Sequence, residues 1–205
     1  LPCARRIYPL LDGGARFLFS ARSQLVVCDR RYGNVQVYAV EGNFDDAQTG
    51  VNRVFADASV AEELENRNIR LSSANSINWG RLVPQIVYYF YAYFRLTEQG
   101  EVAWGEPVDF CVPTGNFGDI LAGYYAKQMG LPVGKLVCAS NKNNVLTDFI
   151  RTGTYDARRT FYKTTSPSMD ILISSNLERL LFHVSGSSEK VAGWMQDLAQ
   201  TGMYT

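Results

Sequence analysis

Histidine is almost missing from this chain: His183 is the only one in 205 residues. Cysteine is sparse as well. Cys3, Cys28, Cys111 and Cys138 form no CxxC pair, and no histidine stands at metal-ligand spacing from them, which excludes the usual zinc modules. Cys111 and Cys138 lie inside apolar runs and are expected to be buried free thiols, as in a reducing compartment. Surplus charge is absent too: 20 Lys+Arg balance 20 Asp+Glu. A nucleic-acid binder rests on excess positive charge against phosphates, so that class is disfavoured. A local anion site needs only a few aimed donors and stays open. No apolar run approaches the length of a membrane span. The N-terminal arginines precede an apolar patch, but Asp12 to Arg16 interrupts it, and the segment is not read as a signal peptide. Internal repeats and low-complexity segments are missing.

What is present is ordinary for a soluble globular protein, with 46% hydrophobic and 20% charged residues. The length suffices for one domain or two small lobes. From Asn34 onward, short β-rich runs alternate with helical stretches. Val35 to Val40 reads as a strand, Asp45 or Asp46 as the cap of a helix through Phe55, and Asp57 as the cap of another over Ala58 to Asn66. Arg70 to Ser73 is expected to be a short strand. Trp79 to Arg95 reads as a long helix, apolar on most sides and therefore buried, with Pro84 in its first turn or at a kink. Pro107 to Val112 is a predicted strand, followed by a glycine-bearing turn and a helix over Asp119 to Met129. Gly130-Leu131-Pro132 stops that helix. Lys135 to Ala139 is the next strand and Val145 to Ile150 a short helix. Arg151 to Ser168 reads as irregular, and Leu177 to His183 and Glu189 to Gln200 as helices. Such alternation implies an α/β fold, a mostly parallel sheet covered by helices. Residues 1–33 show no clear strand–helix unit.

Val112 to Asp119 (VPTGNFGD) carries the most chemistry. It leaves a strand and opens a helix, where backbone amides lack partners and the dipole favours an anion. Gly115 and Gly118 allow close backbone approach. Together these make a phosphate cradle plausible. It is neither a Walker loop nor a dinucleotide GxGxxG, and a plain strand–turn–helix junction stays open on spacing alone. Ser73 to Arg81 (SANSINWGR) reads as a capped helix start. Arg81 falls in the first turn, where a cation is disfavoured unless an anion lies near; the alternative is a pair with a surface carboxylate. Ser174 to Arg179 (SSNLER) resembles a capped helix start, explained structurally by its Ser, Asn and Glu178. The aromatics from Tyr88 to Phe94 are expected in core and lobe contacts, and His183 as a dipole partner at a helix end.

Four segments in order, VEGNFDDAQ (Val40 to Gln48), SSANSINWGR (Ser72 to Arg81), PTGNFGDILAGYYAKQMGLP (Pro113 to Pro132) and MDILISSNLERLLF (Met169 to Phe182), resemble the threonine synthase family. The resemblance covers about Asn34 to the end and is confined to that family's central portion. It implies a two-lobed fold type II architecture with pyridoxal 5'-phosphate between the lobes. Residues 34–78 would be part of the smaller lobe and 79–205 part of the larger, cofactor-binding lobe; 1–33 match poorly. It implies conversion of O-phosphohomoserine and water to threonine and phosphate, in the cytoplasm, with neither nucleic acid nor membrane as partner. Gly115, Asn116, Phe117, Gly118 and Asp119 would hold the cofactor phosphate. Asn75, Ser76 and Arg81 would hold the substrate phosphate. The family's Schiff-base lysine lies upstream in a Phe-Lys-Asp context, and that tripeptide is absent here. Lys127, Lys135, Lys142, Lys163 and Lys190 do not match it. The chain is therefore expected to be truncated at both ends and inactive alone, with exposed apolar surface. The alternative function is an inactive phosphate- or cofactor-binding fragment.

Overall fold

The structure, a computed structural model, describes residues 5–7, 19–21, 37–40, 44–72 and 76–205, with side chains from residue 49 onward. The chain divides into two compact units, Leu1–Ala74 and Asn75–Thr205.

In the first unit, β1 (Arg5–Ile7) and β2 (Phe19–Ala21) flank β3 (Val37–Val40), antiparallel and parallel to it respectively. Helix α1 (Phe44–Ala56) follows, then α2 (Ala58–Asn66). Asp57 caps α2 by accepting from the Ser59 amide at 2.9 Å and the Val60 amide at 3.3 Å, as its position before the helix predicts. The strand expected over Arg70 to Ser73 does not form at residues 70–72. No strand pairs with it among the described residues, and an extended segment without a ladder is only a connector.

The second unit is built around one βαβ motif. β4 (Val108–Pro113) and β5 (Val133–Ala139) are parallel, with Cys111 opposite Val137 and Pro113 opposite Ala139. Their crossover contains α4 (Gly118–Gln128), and α3 (Trp79–Glu98) packs on α4. Asn78 caps α3 through its side chain, and the helix continues past Pro84. Leu82, Ile86, Tyr89 and Tyr93 on α3 meet Ile120, Leu121, Ala122 and Ala126 on α4 in one core with Val112 and Val133. Gly123 lets the helices close. A Cβ there would lie 2.7 Å from the Tyr89 ring and 2.9 Å from Leu136, so any larger residue pushes them apart. Helices α5 (Val145–Thr152), α6 (Leu177–Ser185) and α7 (Ser188–Thr201) complete the unit. The segment expected to be irregular contains β6 (Tyr155–Asp156), which pairs antiparallel with the C-terminal β7 (Met203–Tyr204), and Tyr155 stacks on Tyr204 at 5.2 Å.

Two burial expectations are corrected. Cys111 is exposed and Cys138 only half-buried, with burial raising the Cys138 thiol pKa. Strand alternation puts Asp109, Cys111, Lys135 and Val137 on one face of β4–β5, and no described element covers it. Helix α3 is also not buried all round: Val83, Val87, Tyr88, Tyr91 and Phe94 are exposed, because only the side bearing Leu82, Ile86, Tyr89 and Tyr93 has a layer to pack against. Cys3 and Cys28 lie outside the described residues.

Candidate anion-binding site at the start of α4

The chain leaves β4 at its carboxyl end and turns into α4 through Thr114 to Phe117. Parallel sheets bind ligands at this edge. Phe117 adopts a left-handed backbone (φ 62, ψ 5), rare for a residue with a Cβ, and its ring is buried in the core. Such strain persists only where surroundings enforce it.

The surroundings here are residues 174–176. The Ser174 hydroxyl donates to the Gly115 carbonyl at 2.7 Å. Ser175 donates to Asn116 Oδ1 through its amide at 3.0 Å and through its hydroxyl. Asn176 donates to the Asn116 carbonyl through its amide at 3.2 Å and its side-chain nitrogen at 3.0 Å. Ser174 is itself held by the core, since its amide donates to the Tyr155 hydroxyl at 2.9 Å. Ser168, Met169 and Ile171 pack against Gly115, where a Cβ would meet them at 3.1–3.3 Å. That segment is fixed by buried Asp170, which accepts from Asn141 at 2.7 Å, Asn143 at 3.1 Å and the Thr164 amide at 2.8 Å.

Acceptors of the loop are thus consumed, while its donors are not. The amides of Asn116, Phe117, Gly118 and Asp119 find no acceptor among the described residues. Unpaired amides at the positive end of a helix are an anion site.

Cations border it. Ser76 packs directly on Gly118, where a Cβ would overlap the Ser76 Cβ and Oγ. Arg81 is exposed in the first turn of α3 and makes no ion pair among the described residues. Its charge is felt by Asp119, where it and a hydrogen bond from Tyr89 oppose the burial that raises the carboxyl pKa. Tyr89 donates to the Asp119 carbonyl at 2.8 Å, and burial with the nearby carboxylate pushes its own hydroxyl pKa up. Arg179, on α6, donates to the Ser76 carbonyl at 2.7 Å, to Asn176 Oδ1 at 3.1 Å and to the Ile77 carbonyl. So Ser76 and the loop Gly115 to Asp119 come together within one unit, with Arg81 near Asp119. Asn75 lies outside the described residues. The SSNLER stretch, read from sequence as only a helix start, proves to be the back of the loop. His183 sits in the last turn of α6 and contacts the Tyr125 hydroxyl at 2.9 Å rather than the loop.

No family model matches the chain. Curated proteins do. Human "Threonine synthase-like 1" is 53% identical over 162 residues, 78% of this chain and 22% of that protein. The threonine synthase of Eremothecium gossypii is 52% identical over 151 residues, 73% of this chain and 27% of that protein. Among solved structures, pyridoxal-phosphate-bound threonine synthase from Brucella melitensis superposes with a TM-score of 0.72 at 41% identity, covering 94% of this chain and 40% of that one. This chain is homologous to part of the threonine synthases. Its helices and parallel strands match the threonine synthase structures, and it spans between about a fifth and two-fifths of the length of these relatives. The lysines of this chain are occupied elsewhere where their contacts are described. Lys127 Nζ donates to the Gly134 carbonyl at 2.8 Å, and Lys142 lies 3.9 Å over the Tyr162 ring. No described helix is long and apolar enough to cross a membrane, and no described cluster could hold a metal ion.

Proposed function

We propose that this chain is the cofactor-phosphate and substrate-phosphate portion of a threonine synthase, converting O-phosphohomoserine and water to threonine and phosphate in the cytoplasm. The carrying observation is the set of unpaired amides at the start of α4, beside Ser76 and Arg81. Amides without acceptors at the positive end of a helix suit a phosphate better than a neutral group. Gly115 to Asp119 hold the cofactor phosphate; Ser76 and Arg81, with Asn75, hold that of the substrate. The arginine fork suits phosphate oxygens. Pyridoxal 5'-phosphate, when bound, would supply the electron sink for elimination of the substrate phosphate and addition of water. The chain's own residues bind and orient.

A second reading is favoured by the lysines engaged away from the loop. In it, the chain alone binds the cofactor or phosphate and does not turn over. Borohydride trapping of the purified chain with pyridoxal 5'-phosphate, followed by peptide mass mapping, separates the two. Stoichiometric labelling of one lysine supports a complete catalyst. Retained cofactor without specific labelling supports the binding portion. Failure to bind either the cofactor or inorganic phosphate rejects both.

A further inference from the structure

Arg179 is separated from Ser76 by 103 residues, yet it ties α6 to the turn that starts α3. Its guanidinium spans two successive carbonyls, Ser76 and Ile77, and also reaches Asn176 Oδ1. Asn176 is wholly buried, and its backbone amide and side-chain nitrogen both donate to the Asn116 carbonyl. An unbroken path of hydrogen bonds therefore runs from Asn116 through Asn176 and Arg179 to Ser76, and Ser76 closes it by packing on Gly118. Arg179 has no carboxylate partner among the described residues. A half-buried guanidinium held only by neutral acceptors is a costly way to fix a turn, unless both its shape and its charge are used.

We infer that Arg179 is a positioning residue that locks the Ser76 to Asn78 turn to the loop Gly115 to Asp119, so that the two parts of the site respond to a phosphate as one unit. This rests on the function proposed above. The planar fork is the operative feature: a lysine keeps the charge but cannot bridge two carbonyls and Asn176 together.

The test uses the isotopically labelled chain and its Arg179→Lys and Arg179→Gln variants, followed by amide NMR. Pyridoxal 5'-phosphate and inorganic phosphate are titrated separately. In the unaltered chain, cofactor binding should move the Ser76 to Asn78 amides together with those of Asn116 to Asp119. In both variants the loop response should persist at affinity weaker by about tenfold or more, as for loss of hydrogen bonds to a charged group, and the Ser76 to Asn78 response should vanish. Phe182→Ser, an exposed change on the same helix, should leave both responses intact. If Arg179→Lys behaves like the unaltered chain, charge and not the clamp is what matters and the inference is overturned. It is also overturned if both variants keep the joint response. Should the unaltered chain bind neither probe, the proposed function falls, while the lock is still read without ligand: Arg179→Lys must shift the Gly118 amide, and an unmoved Gly118 refutes it. Melting by circular dichroism checks that each variant is folded, and Arg179→Lys carries the comparison alone if Arg179→Gln is not.

Discussion

Replacing Gly123 by alanine sets two opposing effects against each other. Gly123 is in the interior of the 11-residue helix α4, with an ordinary helical backbone. Helix propensity alone would make alanine stabilising by about 0.5–1 kcal/mol. Packing acts the other way. The added methyl would stand 2.7 Å from Tyr89 Cε1 and Cζ and 2.9 Å from Leu136 Cδ2, whereas carbon atoms rest comfortably at about 3.5–4.0 Å. Relief needs a displacement of roughly 0.6 Å or more on two sides at once. The Tyr89 side does not yield easily: Tyr89 is 4% exposed, and its hydroxyl is tied to the Asp119 carbonyl at 2.8 Å. Overpacking of this kind costs about 1–3 kcal/mol, so Gly123→Ala should be destabilising overall by roughly 1–2 kcal/mol. Urea unfolding followed by circular dichroism measures it. Gly193→Ala in α7 is the control, because nothing lies within 4 Å of a Cβ there and only the propensity gain remains. Leu136→Val, by removing one of the clashing methyls, should make the pair Gly123→Ala/Leu136→Val less destabilised than the sum of its parts. If Gly123→Ala is as stable as the unaltered chain, or gains stability in step with Gly193→Ala, the close approach of α3 to α4 is refuted. The attachment of Tyr89 to the first turn of the site then falls with it.

Asn176→Ala removes the side-chain donor to the Asn116 carbonyl and an acceptor of Arg179 while keeping the backbone amide, and should cost about 1–3 kcal/mol in the same unfolding assay, with weaker cofactor retention. Because burial raises the Asp119 pKa in the folded chain, its contribution is fully present below the unfolded value of 3.8 and is lost as pH rises through the higher folded value. Asp119→Asn should therefore lessen the stability lost between pH 3.5 and 7, and an unchanged pH profile counts against that burial. The exposed apolar stripe Val83, Val87, Tyr91 on α3 predicts dye binding and self-association, both reduced by Val87→Glu with Tyr91→Glu. A monodisperse monomer that binds no dye contradicts it.

Local chemistry was legible from the residues alone. Asp57 precedes its helix and caps it. The Gly130 stop and the strand–turn–helix over Val112 to Asp119 need only short-range backbone rules, and the four family segments in order identified the relatives. What the sequence could not express were contacts between distant positions. Ser174 to Asn176 have the composition of any helix start, and only the fold carries them 59 or 60 residues back to Gly115 and Asn116. Cys111 and the outer side of α3 are apolar by composition yet exposed, since burial depends on whether another layer covers that face and not on the residue itself. The sequence by itself determined the elements and the kind of loop; the tertiary structure decided which acceptors were used up, and so which donors were left for an anion.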